Sequence, residues 1–295
     1  MSGKPKLAVG VIGVGAMGMG VAKTLLRAGF PVRVRDIRDE AGREAAAAGA
    51  VVCASPAELA RDSAVVITLV VDAAQTEDVL FGEQSVLGSA APGSVVMMCS
   101  TVAPDFAEST ALRLAQRGLT MLDAPVSGGP AKALAGEMSM MIAGDGEAYA
   151  RCRATIEAVS GRHFYLGARA GDGSRMKIVN NMLAGVNLAA AAEAFGLART
   201  LGLDPKAFYD VVCASSGASW MFADRMPRAL ADDYAPRAAV AILAKDLSIV
   251  LDAARAAGCS APVASAAHAV YLQAIARGLG AEDDAALVKL YRAES

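Results

Sequence analysis

The sequence predicts an α/β domain built on a doubly wound parallel sheet, followed by an all-α domain. Over the first half of the chain, short apolar runs rich in β-branched residues alternate with helical stretches. A glycine-rich loop directly follows the first of these runs. After about Gly171 the strand-like runs end, and the remaining pattern is helical. We therefore expect a first domain over residues 1–168 and a second over 169–295, entered by one long helix.

The elements of both domains can be placed in order from their patterns. Predicted strands cover 7–13, 31–36, 64–71, 94–100 and 119–125, and the segments 138–144 and 163–167 are expected to extend the sheet. Predicted helices of the first domain cover 16–29, an alanine-rich stretch that ends near Ala48, and 104–118. Residues 174–201 contain no proline and form the long helix. Further helices, bounded by Gly, Pro or Asp, are predicted over 204–213, 219–230, 236–257, 261–277 and 281–292.

Composition and charge exclude several classes of protein. Hydrophobic residues make up 55% of the 295 residues and charged residues 20%, which is typical of a compact globular protein with an ample core. A net charge of -2 gives no basic surface for nucleic acid. The uncharged stretches 85–104 and 256–276 are interrupted by polar residues, Gly or Pro, so neither supplies a membrane helix. We expect a cytoplasmic protein that acts on a small molecule.

Cysteine and histidine usage narrows the chemistry further. The five cysteines are odd in number and widely spaced, so we expect buried free thiols in a reducing compartment. His163 and His268 are the only histidines in the sequence, which excludes a histidine-rich metal site and leaves few partners for a thiol nucleophile. We predict no metal centre.

The glycine loop carries the first functional signal. Gly13, Gly15 and Gly18 form a G-x-G-x-x-G pattern after a predicted strand and at the start of a predicted helix. The first glycine permits the tight turn, the second permits close approach of a pyrophosphate, and the third permits close packing of helix against strand. Ala16 and Met17 lie at the helix N-terminus, whose amides and dipole favour an anion. This context predicts a Rossmann-type dinucleotide site.

A carboxylate suggests which dinucleotide binds. Asp36 ends the second predicted strand, where it can accept a hydrogen bond from the adenosine ribose and repel a 2′-phosphate. The sequence thus favours NAD over NADP, although Arg35 and Arg38 flank the acid and soften that preference. The alternative is that Asp36 is a solvated strand end. Val70 and Val71, at the end of the third predicted strand, are further candidates for cofactor contacts.

Two later segments sit where a doubly wound sheet forms its ligand crevice. Thr101, in CSTVAP, either faces a nicotinamide or caps the helix that begins near Pro104. In DAPVSGGP, Ser127 with the amides of Gly128 and Gly129 can form a small anion-binding nest for a carboxylate. An ordinary turn accounts equally well for that second segment.

The segment GDGSRMKIVNNMLAG (171–185) places one lysine in a largely apolar helix. Lys177 and Asn181 are spaced i, i+4 and share a face, which continues through apolar residues and should be buried. Burial disfavours the charged form of a lysine and so makes Lys177 a candidate proton-transfer group. The alternative is a lysine that extends along the helix to solvent. Lys245, in KDL (245–247), is a second candidate cation, or else one half of a surface Lys–Asp pair.

Together these segments resemble the β-hydroxyacid dehydrogenase family, which includes 3-hydroxyisobutyrate dehydrogenase and tartronate semialdehyde reductase. The resemblance covers nearly the whole chain. It is carried, in the family's order, by GVIGVGAMGMGVAKTLLRAG (10–29), STVAP (100–104), DAPVSGG (123–129), GDGSRMKIVNN (171–181) and KDL (245–247). SSGASWMFADR (215–225) and GLGAEDDAALVKLY (278–291) are most similar to the branch that oxidises L-threonate to 2-oxo-tetronate.

The resemblance implies a role for each matching residue. Lys177 would be the catalytic acid/base, and Asn181 would orient the reacting oxygen. The loop of Ser127, Gly128 and Gly129 would hold the substrate carboxylate. Thr101 would lie at the nicotinamide ribose, and Lys245 would close the cofactor side. It also implies a homodimer or homotetramer.

The residues that would determine substrate choice are less clearly marked in the sequence. Trp220 and Phe222 either line the substrate site or pack in the core. Asp172 and Arg175 stand where the family pattern leads us to expect small or neutral residues. Three alternatives to L-threonate oxidation remain open: 3-hydroxyisobutyrate dehydrogenase, tartronate semialdehyde reductase, and a non-catalytic dinucleotide-binding module. A related reductase of imines shares the fold, but such enzymes generally lack this lysine.

Overall fold

The computed structural model describes residues 6–292 and divides into two compact units. The first unit extends to Lys177, and the second begins at Ile178. The division falls within one continuous helix, Asp172–Thr200, so the first unit includes the opening turns of that helix. The predicted architecture is confirmed: a parallel-rich sheet with helices in the first part of the chain and helices alone in the second.

The sheet of the first unit has the predicted strands in a doubly wound order. The strands in residues 6–292 are β1 (Val9–Ile12), β2 (Val32–Arg35), β3 (Val51–Val52), β4 (Val65–Thr68), β5 (Val95–Met98), β6 (Thr120–Asp123), β7 (Val126–Ser127), β8 (Met138–Gly144) and β9 (Ser160–Tyr165). Their order is β3-β2-β1-β4-β5-β6-β8-β7, with β9 paired to β8. The pairs from β3 to β6 are all parallel.

Beyond β6 the sheet departs from the parallel pattern. β8 runs antiparallel to both β6 and β7, and β9 then pairs parallel to β8. The reason lies in the connection, because only a short helical segment separates Ser127 from Met138. A crossover that returns to the starting edge of a sheet requires a dozen or more residues, so this strand comes back in the opposite direction.

The helices alternate with the strands and then continue alone. They are α1 (Ala16–Arg27), α2 (Asp39–Ala47), α3 (Pro56–Arg61), α4 (Ala73–Phe81), α5 (Pro104–Ala115), α6 (Gly129–Ala135), α7 (Gly146–Val159), α8 (Asp172–Thr200), α9 (Pro205–Cys213), α10 (Trp220–Leu230), α11 (Val240–Ala256) and α12 (Pro262–Ala276). The last predicted helix is a 3-10 helix, Asp284–Tyr291. Several elements had no specific sequence prediction, among them β3, α3, α4, β7, α6 and α7.

The alternation of side chains in the central strands builds two apolar layers. Val9 and Val11 of β1 join one buried cluster, whereas Ile12 joins the cluster on the other face. In β4, Val65 and Val66 divide between the clusters in the same way. Successive strand residues point to opposite faces, and both faces are covered by helices, so every residue of these strands is apolar or small. The carboxyl ends of the strands are thereby held on a rigid edge.

The second unit has its own core. Leu188 and Phe195 of α8 pack with Phe222 of α10, Tyr271 of α12 and Leu287 of the 3-10 helix. By length and composition, α8 is apolar enough to cross a membrane, with a mean hydropathy of 1.2 in its most apolar window. Part of its apolar surface belongs to this core, and the core helix of a globular protein meets the same criterion.

The cysteines are all free, but their burial divides them. Cys53, Cys99 and Cys152 are buried as predicted, and burial raises the pKa of Cys99 and raises that of Cys152 to about 12. The prediction was wrong for Cys213 and Cys259, which are exposed. Cys213 ends α9, a helix whose described residues are at most partly buried.

Candidate active site

The glycine loop has the geometry of a phosphate-binding turn. Gly13 follows β1 with a φ of 86°, and a Cβ there would lie 2.7 Å from the carbonyl oxygen of Leu69. A Cβ at Gly18 would overlap the carbonyl oxygen of Gly13. By contrast, the nearest atom to a Cβ at Gly15 is Nη2 of Arg38, at 3.5 Å. The first and third glycines are therefore required by the turn itself. Gly15 is not required by the turn, and its lack of a side chain leaves space beside the loop.

The start of α1 fits an anionic ligand. Gly15 is its N-cap residue and supplies no side-chain hydrogen bond, and no acidic residue stands in the first turn, which includes Ala16 and Met17. The first amides of a helix have no partner within it and carry a partial positive charge. A loop that only glycine can form, leading into an uncapped helix start, fits the pyrophosphate of a dinucleotide.

Asp36 lies directly after β2 and is held by a neighbour. Its Oδ1 accepts from the backbone N–H of Arg38 at 2.9 Å and from Nε of Arg38 at 3.0 Å. Nη2 of Arg38 donates to Oδ2 at 3.2 Å. Burial raises the pKa of Asp36, but the hydrogen bonds and charge of Arg38 and the N–H of Val14 outweigh it, so the pKa is lowered. Asp36 is therefore an ionised acceptor at neutral pH.

The other predicted cofactor residues lie in loops at the carboxyl edge of the sheet. Val70 and Val71 follow β4, and Cγ1 of Val70 lies 3.1 Å from the position of a Cβ at Gly13. Val71 is exposed, and its N–H donates to Gln75 at 3.1 Å. Thr101 lies between β5 and α5, whose N-cap residue is Ala103. Val70 therefore lies against the glycine loop, and Thr101 follows the next strand, after which a doubly wound sheet forms its ligand crevice.

The serine–glycine loop and the lysine lie close together within the first unit. Val126 and Ser127 form β7, and Gly128 and Gly129 follow with φ values of 130° and 77°. These positive values are open to glycine at little cost. Lys177 is buried, and its Nζ donates to the carbonyl oxygen of Val126 at 2.8 Å. The ammonium group thus lies beside the residue that precedes Ser127, and it does not extend to solvent.

Sequence reasoning assigned no role to Asp123, which lies at the end of β6. This carboxylate is fully buried and accepts from the N–H of Gly171 at 3.0 Å and of Ser174 at 2.8 Å. The hydroxyl of Ser174 donates to its second oxygen at 2.8 Å. Burial raises the pKa of Asp123, and these hydrogen bonds oppose the rise. The only sequence signal was its place in DAPVSGG, next to residues that had a role.

In the second unit, a buried aspartate joins Asn181 and Lys245. Nδ2 of Asn181 donates to Oδ2 of Asp246 at 2.6 Å, and Nζ of Lys245 lies 2.7 Å from Oδ1. Nδ2 of Asn180 donates to Oδ1 of Asn181 at 3.1 Å. The Lys–Asp pair predicted as one alternative is present, but it is not a surface pair, since Asp246 is buried. Asn181 follows Lys177 by one turn of α8 and projects from the same face of that helix.

The residues that bear on substrate choice have different surroundings. Phe222 is buried in the core against Phe208 and Tyr209, whereas Trp220 is 48% exposed at the start of α10. Of the two alternatives for Phe222, the structure therefore supports core packing. Arg175 pairs with Asp172 at 2.8 Å and with Glu108 of α5. These ion pairs account for both charged residues that depart from the family pattern.

Within residues 6–292 there is no group of three or more His, Cys, Asp or Glu side chains that could hold a metal ion. The first unit thus provides a glycine loop, an ionised acid after β2 and a serine–glycine loop beside a buried lysine, and the second unit by itself provides an amide–carboxylate–lysine cluster.

Comparison with known proteins identifies the family of this chain. Residues 8–167 match the NAD binding domain of 6-phosphogluconate dehydrogenase, and residues 171–291 match the NAD-binding domain of NADP-dependent 3-hydroxyisobutyrate dehydrogenase. The chain is similar to L-threonate dehydrogenase of Cupriavidus necator, with 51% identity over 96% of this chain and 95% of that protein. L-threonate dehydrogenase of Escherichia coli K12 is 43% identical over 96% of this chain and 94% of its own length.

Solved structures agree with these relatives. The crystal structure of 3-hydroxyisobutyrate dehydrogenase from Salmonella typhimurium has a TM-score of 0.92 and 41% identity, covering 97% of this chain and 100% of that chain. The Mycobacterium tuberculosis 3-hydroxyisobutyrate dehydrogenase, solved with L-serine, has a TM-score of 0.85 and 31% identity, covering 98% and 100%. The chain therefore belongs to the 3-hydroxyisobutyrate dehydrogenase-related family of β-hydroxyacid dehydrogenases, oxidoreductases that act on hydroxy acids with a nicotinamide dinucleotide.

Proposed function

We propose that this enzyme oxidises L-threonate to 2-oxo-tetronate with NAD, and that Lys177 is the acid/base of the reaction. The observation that carries the mechanism is the 2.8 Å hydrogen bond from Nζ of Lys177 to the carbonyl oxygen of Val126, beside Ser127. It supports a lysine held at the serine–glycine loop, where a bound hydroxy acid would present its carboxylate. A snorkelling lysine would not have this partner.

The roles of the first-unit residues follow from their chemistry. The loop of Gly13, Gly15 and Gly18 with the start of α1 would hold the pyrophosphate, and Asp36 would accept from the adenosine ribose. Thr101, Val70 and Val71 would line the nicotinamide side of that site. When bound, the nicotinamide ring accepts a hydride from the carbon that bears the substrate hydroxyl. Ser127 and the amides of Gly128 and Gly129 would fix the substrate carboxylate.

Proton transfer is assigned to the lysine. In oxidation, neutral Lys177 takes the proton of the substrate hydroxyl, and in reduction its ammonium returns that proton. Asn181, one turn on, would orient the reacting oxygen with its remaining amide hydrogen, since its other Nδ2 hydrogen is directed to Asp246. Lys245 would contact the cofactor, and Trp220 the substrate. Holding these groups in place supplies much of the rate, because orientation can contribute several kcal/mol to catalysis (about 7–11 in favourable cases).

The choice of L-threonate depends on the relatives. Proteins named L-threonate dehydrogenase from several bacteria are 40% to 51% identical over 96% of this chain. The 3-hydroxyisobutyrate dehydrogenases of Pseudomonas aeruginosa and Bos taurus are 35% and 31% identical. Imine reductases from Streptomyces aurantiacus, Myxococcus stipitatus and a Pseudomonas species are 20% to 24% identical and support the shared fold only. 3-Hydroxyisobutyrate oxidation and tartronate semialdehyde reduction are the second candidates.

NAD is the proposed cofactor because Asp36 is ionised and would repel a 2′-phosphate. Arg38 offsets part of that repulsion, since three of its hydrogen-bond donors are directed to Asp36. We expect a preference for NAD that is measurable and not absolute.

We further propose a cytoplasmic homodimer or homotetramer. The second unit exposes several large apolar side chains, among them Val211, Val263 and Leu272. Patches of exposed apolar residues commonly mark surfaces that another chain covers. Light scattering after size-exclusion chromatography tests this proposal, and a monomer at micromolar concentration would contradict it.

A substrate panel tests the proposed function. NADH formation at 340 nm is measured with L-threonate, D-threonate, glycerate and 3-hydroxyisobutyrate, and NADH consumption with tartronate semialdehyde. We expect the highest kcat/KM with L-threonate and NAD, and a lower value with NADP. A higher kcat/KM with 3-hydroxyisobutyrate or tartronate semialdehyde would identify that compound as the substrate in place of L-threonate. No turnover with any compound, despite NAD binding, would favour a non-catalytic dinucleotide-binding module.

A further inference from the structure

The start of α8 is fixed to the sheet by one buried carboxylate. Asp123 is the last residue of β6, and its Oδ2 accepts from the N–H groups of Gly171 and Ser174 at 3.0 and 2.8 Å. Oδ1 accepts from the hydroxyl of Ser174 at 2.8 Å. The first N–H groups of a helix have no acceptor within it and are usually capped by a nearby side chain of the same segment. Here the cap comes from a strand 48 residues earlier in the chain.

The contact is tight as well as polar. A Cβ at Gly173 would overlap the carbonyl oxygen of Asp123 and would lie 2.8 Å from that of Met141 in β8. The backbone of the first turn is therefore pressed against two strands of the sheet. Because Asp123 and Ser174 are both buried, water does not compete for these hydrogen bonds. These contacts fix the orientation of the first turn of α8 and its position against β6 and β8.

The segment that directly follows β6 also holds the lysine. Ser174 precedes Lys177 by three residues, which is nearly one helical turn. Val126, whose carbonyl oxygen accepts from Nζ of Lys177 at 2.8 Å, follows Asp123 by three residues. These contacts form a closed circuit. Asp123 accepts from the backbone N–H of Ser174, the helix carries Lys177, and Nζ of Lys177 donates to Val126, which follows Asp123 closely in the chain. Ser127 is the next residue along.

From this circuit we infer that Asp123 is a positioning residue, which sets the place of the Lys177 ammonium relative to Ser127. The inference rests on the proposed role of Lys177 in proton transfer. Asp123 itself is hydrogen-bonded to Gly171 and Ser174 at the start of the helix, and it acts on the reaction only by holding that helix. A displacement of the acid/base by about 1 Å is enough to lower turnover by about 100-fold.

The test uses five variants of the enzyme, with NAD and the best substrate of the panel. Asp123→Ala removes all three hydrogen bonds, and we expect kcat to fall about 100-fold while NAD affinity stays within twofold. Ser174→Ala removes only the hydroxyl, and we expect a smaller loss of about tenfold or less. Asp123→Asn keeps the shape and an acceptor oxygen for the amides, so it should recover most of the activity lost in Asp123→Ala.

A substrate carrying deuterium at the reacting carbon separates positioning from simple destabilisation. Misplacement of Lys177 slows the chemical step, so the isotope effect on kcat should rise in Asp123→Ala and in Ser174→Ala. The matched control is Asp145→Ala, which removes a helix cap of the same type: Oδ1 of Asp145 accepts from Ala148 N–H at 2.8 Å at the start of α7. This variant should lose some thermal stability and keep both kcat and the isotope effect.

The outcomes distinguish this inference from the proposed function. Lys177→Ala is measured in parallel. If Lys177→Ala is inactive while Asp123→Ala and Ser174→Ala keep kcat within threefold of the parent enzyme, the positioning role is wrong and the proposed function stands. If Lys177→Ala keeps its turnover, the proposed function itself fails. If Asp123→Ala does not fold, Ser174→Ala decides: an unchanged kcat and isotope effect in this variant overturn the inference, and a slowed chemical step with a larger isotope effect supports it.

Discussion

Two buried carboxylates, one in each unit, have opposite kinds of partners. Asp123, at the end of β6, accepts from two backbone amides and one hydroxyl, all neutral donors. Asp284, in the 3-10 helix, accepts from the guanidinium of Arg225 at 2.6 and 3.2 Å. Both are fully buried, and in both burial is the main cause of a raised pKa. The two carboxylates therefore differ in their partners: Asp123 binds the neutral start of a helix, and Asp284 binds a charged side chain.

The two arrangements serve different purposes. Around Asp284 the charges alternate: Arg225 also pairs with Asp224, and Arg228 pairs with Asp283 at 3.0 Å. Such a network joins α10 to the 3-10 helix and leaves every charge compensated. Around Asp123, neutral donors fix one end of the helix that carries Lys177. The arrangement around Asp284 therefore holds the fold, whereas we propose that the arrangement around Asp123 places Lys177 for the reaction.

The largest effect on stability should come from Arg225→Met. Removing one partner of a buried ion pair leaves the other charge uncompensated and costs about 3–5 kcal/mol in the free energy of unfolding. Urea denaturation measures the loss. The matched control is Arg255→Met, whose pair with Asp252 is exposed, and which should change that free energy by less than about 1 kcal/mol. Equal losses in both variants would show that the buried network does not hold the second unit.

The pH dependence of stability should carry the signature of Asp284. Burial raises the pKa of Asp284 to about 6 from its ordinary value of 3.8, although Arg225 opposes the rise. A carboxyl whose pKa is raised by folding stabilises the folded state below its unfolded pKa and loses that contribution as pH rises through the folded pKa. The parent enzyme should thus lose about 3 kcal/mol relative to Asp284→Asn between about pH 4 and pH 6. A constant difference between the two proteins, from urea unfolding over this range, would contradict the assignment.

Another buried carboxylate, Asp246, has one partner of each kind, an amide and an ammonium. If it places Asn181 and Lys245 for the reaction, Asp246→Asn should lower kcat by about 10- to 100-fold, the equivalent of a lost hydrogen bond to a charged group. The melting temperature should change little. A large fall in melting temperature at unchanged kcat would assign Asp246 to the structural kind instead. Kinetics at 340 nm and thermal unfolding measure both.

The smallest effect is expected from replacing Arg38, the exposed partner of Asp36. Arg38→Ala removes the charge that offsets Asp36, so the 2′-phosphate of NADP should be repelled more strongly. We expect kcat/KM with NADP to fall about three- to tenfold and the value with NAD to change less. Arg43→Ala, an exposed arginine of α2, is the control. An increase in NADP activity would show that Arg38 does not serve the 2′-phosphate.

Sequence reasoning recovered what depends on local pattern. The glycine loop and five strands follow from residue type and period, namely β1, β2, β4, β5 and β6. The spacing of Lys177 and Asn181 follows from the helix repeat. The antiparallel return of β8 was not predicted, because the direction of a strand depends on the length of a connection and not on its own residues. The short elements α6 and β7 had no period long enough to detect.

The partners of the charged groups escaped prediction for a different reason. Asp123 and Ser174 are 51 residues apart, and Arg225 and Asp284 are 59 apart. No spacing rule connects such residues before the fold is known. Asp246 was visible beside Lys245, but its burial was not, and burial is what distinguishes it from a surface pair. The candidate site residues could therefore be named from the sequence, whereas the residues that hydrogen-bond to them could not.

The central claim is that Lys177 transfers the proton in oxidation of a hydroxy acid. The most direct test is NADH formation at 340 nm by Lys177→Ala and Lys177→Arg, with NAD affinity measured by calorimetry on the same samples. Arginine keeps the charge but does not exchange its proton near neutral pH. We predict that both variants bind NAD as the parent does and lose about 10²- to 10⁴-fold in kcat. Turnover within a few fold of the parent in either variant would contradict the account.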